Sequence, residues 1–262
     1  MFGFGFRYAL GAYLVGGGTE IFNANVALFN GTTDYKEAPA TLASALQIGL
    51  QSFSKSIWIK TTQSTTGMIM NSSINGTGDR FDFYNAGQGD FSFRVEDEAI
   101  RVTGVFDGSW HFITIAKDND TGKSQGGFTG ELSISIDGDK KVPSYIERYV
   151  NLESVSAGTS NPLTYGRRSY TNSLHYQGEM SNGDFHVGTV VSEADALAQY
   201  NLGQQTCFDL YDANYKASIT EHWSLGEWVG NTGNAFIGSL GVQDLTAGTL
   251  PLTGSAQIEC EA

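Results

Sequence analysis

The densest acidic cluster in this sequence is Glu96-Asp97-Glu98. Glycoside hydrolysis needs two carboxylates that flank one bond in a cleft. Successive residues of an extended strand point to opposite faces, so these three cannot supply that pair, and we predict a solvated turn. Glu179 and Asp184 are separated by an Asn-Gly pair, which predicts a turn between them. Their spacing alone does not define a catalytic pair, and we expect no enzymatic activity.

The sequence contains four histidines that could act as a general base or a metal ligand: His111, His175, His186 and His222. No two of them show the His-x-x-x-His spacing that places both rings on one helical face. Structural packing is therefore the favoured interpretation of all four. We expect no catalytic residue among them.

Calcium is the metal for which the sequence offers candidate ligands. The segment Asp118-Asn119-Asp120-Thr121-Gly122 places alternating acids at the start of a loop. Asp137 and Asp139 are further candidate calcium ligands. A complete calcium loop also needs a third acid and a distal Glu, which this segment lacks. Ordinary turn residues are favoured, so no metal site is assigned and calcium stays an alternative.

The composition narrows the class of protein. The chain has 262 residues, of which 33 are Gly, with 28 acidic and 15 basic residues and a net charge of −13. Nucleic-acid-binding proteins usually present a basic surface, so a nucleic-acid partner is excluded. No apolar run reaches the roughly 18 residues that a membrane-spanning helix requires. Aromatic residues make up 12% of the chain, which argues against a disordered protein.

Short apolar runs separated by Gly and Asn turns predict many strands. Within Phe53–Ile59, Phe53, Ile57 and Ile59 share one face and Trp58 lies on the other, so both faces should be covered. One helix is predicted at 192–200, with Ser192 as its N-cap. Further strands are predicted at 26–29, 68–70, 81–84, 91–95, 100–105, 111–116, 132–136, 163–165, 175–177, 184–187 and 217–225. This pattern predicts an all-β antiparallel sandwich with one short helix.

Four segments in a fixed order resemble a known superfamily. They are Ala27–Tyr35 followed by Phe53–Lys60; Gly108–Ile115, which includes Trp110-His111; Leu132–Gly138; and Leu163–Gly166 with Tyr176–Met180 and Ser192–Leu197. Together they resemble the concanavalin A-like, or laminin G-like, jelly-roll domains over residues 25–204. The resemblance implies a jelly-roll sandwich in which Trp58 and Trp110 belong to the structural core. It also makes surface glycans a candidate ligand.

The two ends of the chain lie outside that resemblance. Residues 1–24 form a Gly-rich apolar arm that could pack into a groove of a partner. Its apolar side chains are Phe2, Phe4, Phe6, Tyr8, Leu10 and Tyr13. The only basic residue near its apolar core is Arg7, and no small-x-small cleavage site follows, so we do not expect a secreted precursor. Residues 205–262 form a C-terminal extension that packs on the sandwich or on a partner. Cys207 and Cys260 are either a disulfide or two thiols.

The tail contains Trp223-Ser224-Leu225-Gly226-Glu227 and later Gly241-Val242-Gln243-Asp244-Leu245-Thr246. Together with the start of the chain, it resembles virion proteins of tailed bacteriophages. This implies a non-enzymatic structural component of the capsid surface, tail or fibre, located in the virion, homo-oligomeric and in contact with other virion proteins. Two alternatives remain open: a free carbohydrate-binding lectin, at a cell surface or secreted, and a glycan-cleaving enzyme. The aromatic residues available for stacking on a sugar are Tyr165, Tyr170, Tyr176, Trp223 and Trp228.

Overall fold

The structure is a computed structural model of the chain. It describes residues 26–37, 51–73, 80–95, 98–118, 124–125, 128–129, 131–147, 163–169, 171, 173–204, 211–223, 232–233, 235–238 and 245–247. Nearly all of the described elements are antiparallel strands, and two short helices accompany them. The predicted all-β antiparallel jelly-roll sandwich is therefore confirmed, and the described residues contain one helix more than the sequence indicated.

The first sheet, called sheet I, has eight strands in the described part of the chain. They are β1 (Val26–Asn30), β3 (Phe53–Lys60), β8 (Trp110–Asp118), β11 (Glu131–Ile136), β12 (Asp139–Lys140), β15 (Gln177–Val187), β16 (Glu221–Trp223) and β18 (Ala235–Gly238). Their spatial order is β12-β11-β8-β3-β15-β16-β18, and β1 pairs with the first half of β15. Strands β3, β8 and β15 therefore form the centre of the sheet.

The second sheet, called sheet II, has nine strands among the residues that the structure describes. They are β2 (Lys36–Glu37), β4 (Gly67–Ser73), β5 (Arg80–Gly87), β6 (Asp90–Val95), β7 (Glu98–Thr103), β13 (Tyr145–Glu147), β14 (Thr164–Tyr165), β17 (Thr232–Gly233) and β19 (Leu245–Ala247). Their order is β13-β7-β6-β5-β4-β14-β2-β19-β17. A separate hairpin pairs β9 (Ser124–Gln125) with β10 (Phe128–Thr129).

The main apolar core lies between the two sheets, because alternate residues of each strand point inward. Sheet I contributes residues such as Phe53, Ile113 and Phe185, and sheet II contributes Phe83 and Phe93. The ring of Phe53 lies 6.3 Å from that of Phe93, edge to face, which is a favoured aromatic geometry across a sandwich.

Two helices cover the outer face of sheet I: α1 (Glu193–Leu202) and α2 (Ala213–Ala217). Helix α1 begins as predicted, because the Ser192 side chain accepts a hydrogen bond from the Asp195 amide and acidic residues occupy the first turn. Asp212 caps α2 in the same way. No helix among the described residues is long and apolar enough to cross a membrane.

A second apolar cluster lies between these helices and sheet I. It contains Trp58, Phe112, Val191, Ala196, Tyr211 and Tyr215. Trp58 is only 3% exposed, and its ring stacks 5.7 Å from that of Tyr200 in α1. The prediction that both faces of β3 are covered is confirmed. Trp110 also packs against this second cluster and stays partly exposed, because Ile113 and Ile115 point into the sandwich and the even-numbered residues of β8 point to the side of the helices.

The turn predicted between Glu179 and Asp184 is wrong, because β15 runs without interruption from Gln177 to Val187. The strand predicted at 184–187 is part of β15, whereas only Gln177 of the segment 175–177 belongs to it. Asn182 adopts a φ of +46°, and the pairing with β3 shifts register between Ser181 and Asp184. The Asn-Gly pair therefore forms a bulge rather than a turn. The strand predicted at 217–225 is shorter, since α2 ends at Ala217 and β16 covers three residues.

Candidate functional site

The acidic residues singled out in the sequence have protein partners. Glu179 Oε1 lies 2.7 Å from Lys60 Nζ, and both side chains are about one-third exposed. Asp184 lies on the other side of the β15 bulge and is fully buried. Glu98 begins β7 and is only 3% exposed, so the prediction of a solvated turn is wrong for this residue, while Glu96 and Asp97 lie outside the described residues.

Asp184 is the centre of a buried polar network between sheet I and α2. It accepts a hydrogen bond of 2.7 Å from Tyr215 Oη, and its other oxygen contacts His222 Nδ1. Burial raises the pKa of Tyr215, and the negative charge of Asp184 raises it further. The ring of Tyr211 lies edge-on to His222 at 5.6 Å. These contacts hold α2 and β16 against β15, which is a structural role.

Two further histidines also lie in structural contacts. His186 Nδ1 lies 2.8 Å from Ser218 Oγ, and burial lowers the pKa of His186 to about 4, so its ring is neutral at pH 7. His175 is half-buried, and its carbonyl accepts a hydrogen bond of 3.0 Å from Gln63 Nε2. Neither ring lies at an exposed position suited to proton transfer.

The fourth histidine, His111, lies between two carboxylates at one end of the sandwich. Its Nδ1 is 2.7 Å from Asp137 Oδ2, and its Nε2 is 3.2 Å from Asp107 Oδ1. Burial alone would lower the pKa of His111, but the hydrogen bonds and charges of the two carboxylates outweigh it and raise the pKa. The pKa of Asp107 is lowered by the backbone amide of Ser109 and then by His111. Both ring nitrogens are occupied, so this cluster is a clamp rather than a base.

The calcium alternative gains no ligand set in the described part of the chain. Asp137 binds His111, and Asp139 Oδ2 lies 2.6 Å from Lys141 Nζ. Asp118 ends β8, and residues 119–122 lie outside the described residues. Among the described residues, no group of three or more His, Cys, Asp or Glu side chains could hold a metal ion.

Residues 122–126 read Gly-Lys-Ser-Gln-Gly, which matches the Gly-x-Ser-x-Gly pattern of hydrolase nucleophiles. That pattern requires a sharp turn from a strand into a helix. Ser124 instead lies on the two-residue strand β9, which pairs with β10. The motif therefore lacks the structural context that would make it a nucleophile.

Two of the five aromatic residues proposed for sugar stacking are buried and form no exposed platform. Tyr165 and Tyr176 are fully buried in the core between the sheets. Tyr170 and Trp228 lie outside the described residues. For Trp223, the structure describes only the backbone position on β16. Burial therefore removes Tyr165 and Tyr176 from the candidates, and the other three stay predictions.

The arm and both cysteines also lie outside the described residues. This applies to Phe2, Phe4, Phe6, Tyr8, Leu10, Tyr13, Cys207 and Cys260. The described strands of the C-terminal extension pair with the sandwich itself: β16 with β15 in sheet I, and β19 with β2 in sheet II.

A row of four side chains crosses the outer face of sheet I, and we call it the Trp110 row. Its members are cross-strand neighbours in the order Leu28 on β1, Glu179 on β15, Lys60 on β3 and Trp110 on β8. With neighbouring strands about 4.8 Å apart, the row is roughly 14 Å long. Along each strand it lies two residues from the row of Trp58 and Phe112, which the helices cover.

The Trp110 row combines an aromatic ring with charged hydrogen-bonding groups. Trp110 is partly exposed, and Lys60 Nζ lies 5.9 Å from its ring centroid. Leu28 is 44% exposed at the other end of the row, and the Lys60–Glu179 pair lies between them. An exposed ring beside fixed polar groups can bind a ligand that is apolar on one face and carries hydroxyl groups at its edge.

Three solved structures that are similar to this chain share 10–14% sequence identity with it. No protein-family model matches the chain. No curated protein matches its sequence. Among solved structures, the mouse laminin alpha1 chain, domains LG4-5, has a TM-score of 0.43 and 14% identity, over 69% of this chain and 46% of the laminin chain. This chain therefore spans about half the length of that laminin structure.

Two other solved structures have similar scores. The heptameric SAP-like pentraxin from Limulus polyphemus has a TM-score of 0.44 and 10% identity, over 87% of this chain and 96% of the pentraxin. The CBM40 of the Ruminococcus gnavus IT-sialidase, bound to sialyllactose, has a TM-score of 0.45 and 11% identity, over 66% and 95% of the two chains.

Proposed function

We propose that this protein is a non-enzymatic carbohydrate-binding module that is displayed on a bacteriophage virion. The observation that supports ligand binding most directly is the Trp110 row on the outer face of sheet I. Trp110, Lys60 and Glu179 are held in line by backbone pairing of three adjacent strands. A sugar ring would stack on Trp110, and its hydroxyl groups would bond to the Lys60–Glu179 pair.

The rigid position of these groups favours recognition. Strands β8, β3 and β15 are central in sheet I, and both faces of the sheet are packed next to the row. Side chains on such a framework lose little conformational freedom when a ligand binds. The Lys60–Glu179 distance of 2.7 Å keeps both groups oriented in the absence of ligand.

The surroundings of the carboxylates favour binding over cleavage. Glycoside hydrolysis requires an acid and a second carboxylate facing the same bond. Glu179 is the carboxylate of the Trp110 row, and it is paired with Lys60. Asp184, the other candidate, is fully buried and bonded to Tyr215. A cleaving enzyme is therefore the less supported alternative.

The virion assignment rests on the sequence of the two chain ends. We propose that residues 1–24 anchor the module to another virion protein and that the sandwich is displayed outward as a homo-oligomer. Deleting residues 1–20 should leave the sandwich folded and abolish its incorporation into particles. Normal incorporation of the deletion variant would argue for the alternative, a free lectin at a cell surface or secreted.

Carbohydrate binding is tested with the full chain on a glycan array, followed by titration calorimetry of any hit. Trp110→Ala should weaken binding at least tenfold, and Trp110→Phe should retain part of it because the ring remains. The matched control is Val142→Ala, which changes an apolar side chain that is 89% exposed and lies outside the row, and it should leave this binding unchanged. An array with no hit, or equal affinity of the wild type and Trp110→Ala, would contradict the proposal.

A further inference from the structure

A second row of side chains crosses the outer face of sheet II, on the opposite side of the sandwich, and we call it the Arg101 row. Its members are cross-strand neighbours in the order Tyr84 on β5, Ser92 on β6, Arg101 on β7 and Tyr145 on β13. Phe83, Phe91, Phe93, Ile100 and Val102 on the same strands point into the core, so the four residues of the row point outward.

Arg101 is the charged member of this row. Its guanidinium carbon lies 5.2 Å from the ring centroid of Tyr145, which is a cation–π contact. The guanidinium has no carboxylate partner among the described residues. Arg167 differs, because its Nη2 lies 3.0 Å from Glu37 Oε2. In a chain with a net charge of −13, a partly exposed guanidinium that lacks a carboxylate partner is available to an external anion.

Ser92 adds a second, independent observation. The residue is fully buried, and its Oγ has no hydrogen-bond partner within the described part of the chain. A buried hydroxyl without a partner is unusual and costs free energy. This hydroxyl lies between Tyr84 and Arg101 in the row and has no exposed surface, so a ligand bound at the guanidinium would bond to it once the side chains that cover it move aside.

The edge of the row is exposed and aromatic. Tyr145 is 45% exposed, and β13, on which it lies, is the end strand of sheet II in the described part of the chain. Backbone pairing fixes Tyr145 opposite Arg101, and the Ser144 amide also donates a hydrogen bond of 2.8 Å to the Arg101 carbonyl. The aromatic ring and the cation are thus positioned together.

We propose that the Arg101 row binds a carboxylate-bearing sugar. The planar guanidinium of Arg101 would pair with the carboxylate through two parallel hydrogen bonds. Tyr145 and Tyr84 would contact the sugar on either side, and Ser92 Oγ would bond to the ligand. A single guanidinium matches one carboxylate better than a phosphate, which is commonly bound by several cations.

The direction of the row favours a sugar over a peptide. A peptide that added to the sheet as an extra strand would run along the edge and contact β13 alone. The Arg101 row instead runs across four strands, from β5 to β13, on the face of the sheet. An acidic peptide is therefore the competing outcome of the test.

The proposal extends the proposed carbohydrate binding but uses different residues on the opposite face. The full chain is tested at low salt on an array of uronate- and sialate-containing oligosaccharides, with their carboxyl-reduced counterparts and an oligoglutamate peptide. Carboxylated glycans should bind at least tenfold more tightly than the reduced ones. Arg101→Gln should lose that preference, Arg101→Lys should retain a weaker one, and Ser92→Ala should reduce affinity.

Two controls keep the outcomes distinct. Lys140→Gln removes one exposed positive charge on sheet I and should leave the preference unchanged. Trp110→Ala should also leave it unchanged, whereas Arg101→Gln should leave binding at the Trp110 row intact. The proposal is overturned if no carboxylated glycan binds, if reduced glycans bind equally, if only the peptide binds, or if Arg101→Gln has the affinity of the wild type.

Discussion

Nδ1 of His111 lies 2.7 Å from Oδ2 of Asp137, and the other oxygen of that carboxylate accepts a hydrogen bond of 2.9 Å from the Phe112 amide. Asp137 therefore connects the His111 side chain and the Phe112 backbone of β8 to the turn that follows β11. Asp107 holds the second ring nitrogen from the opposite side. The arrangement makes the stability of this end of the sandwich dependent on pH.

His111→Asn should lower stability most between about pH 4 and 6.5. The pKa of His111 is raised on folding, so its contribution is complete below the unfolded pKa of about 6.5 and is lost as pH rises through the folded pKa. The pKa of Asp107 is lowered, so its contribution is present above about pH 4 and is lost as pH falls. Melting temperatures should drop by about 2–4 °C per kcal/mol lost.

The control for this measurement is His175→Asn, which removes a histidine outside the clamp. Melting temperatures of both variants and the wild type are compared from pH 4 to 9. If the difference between His111→Asn and the wild type is the same at pH 5.5 and pH 8.5, the clamp does not depend on protonation of His111.

Lys55→Met should change the pH dependence of stability above neutrality. Lys55 is buried, with Nζ 4.7 Å from the Phe185 ring centroid, and burial lowers its pKa to about 7, an effect that the charge of Asp184 partly opposes. The unfolded chain keeps the proton up to about pH 10.4, so the wild type gains up to about 1.4 kcal/mol per pH unit above pH 7.

Urea unfolding at pH 7, 8 and 9 measures this slope. The Lys55→Met variant should lack the gain, so its free energy of unfolding should rise less steeply than that of the wild type. Lys60→Met, which changes a more exposed lysine, serves as the control and should keep the wild-type slope. Parallel curves for Lys55→Met and the wild type would refute the lowered pKa.

Gly138→Ala should destabilise the protein more than Gly89→Ala. Both glycines have left-handed backbones, with φ of +81° and +87°, so both alanine variants share a backbone cost of about 1–2 kcal/mol. A Cβ at Gly138 would lie 2.5 Å from the Cα of Leu197 in α1, whereas a Cβ at Gly89 meets nothing within 4 Å. The additional cost at Gly138 should be about 1–3 kcal/mol. Urea unfolding measures both variants, and equal costs would contradict this packing of the hairpin on α1.

Tyr215→Phe should destabilise the attachment of α2. The change removes the hydroxyl that donates to Asp184 Oδ2 at 2.7 Å and leaves a buried carboxylate oxygen without that donor. The expected cost is about 1–3 kcal/mol. Limited proteolysis should cleave the variant faster after residue 204, and Tyr145→Phe, at an exposed position, should behave like the wild type. Unchanged proteolysis would indicate that other contacts hold α2.

The sequence predicted the fold well because hydrophobic alternation and turn residues are local signals. The strands around Phe53, Phe91 and Leu132 begin and end within a few residues of their predicted positions. The bulge at Asn182 was missed because a bulge and a turn use the same residue types, and only pairing with β3 distinguishes them. Helix α2 was missed because its five residues are too few for a periodic pattern.

The candidate surfaces were harder to predict than the fold. Trp110 could have been placed on the outer face of sheet I from its alternation with Ile113 and Ile115, but the sequence does not reveal that its ring packs against the second cluster and stays partly exposed. The Arg101 row depends on register among four strands, and Tyr145 lies 61 residues after Tyr84. The register between strands that lie so far apart along the chain is set by their pairing, and the local sequence carries no signal for it.

The described strands of the C-terminal extension alternate between the two sheets along the chain: β16 in sheet I, β17 in sheet II, β18 in sheet I and β19 in sheet II. Tension applied to the chain after β19 first acts on sheet II and then, through the intervening segments, on sheet I. Forced extension must therefore break backbone hydrogen bonds in both sheets in turn. A module attached through its C-terminal end would therefore resist mechanical load through two sets of backbone hydrogen bonds, one in each sheet.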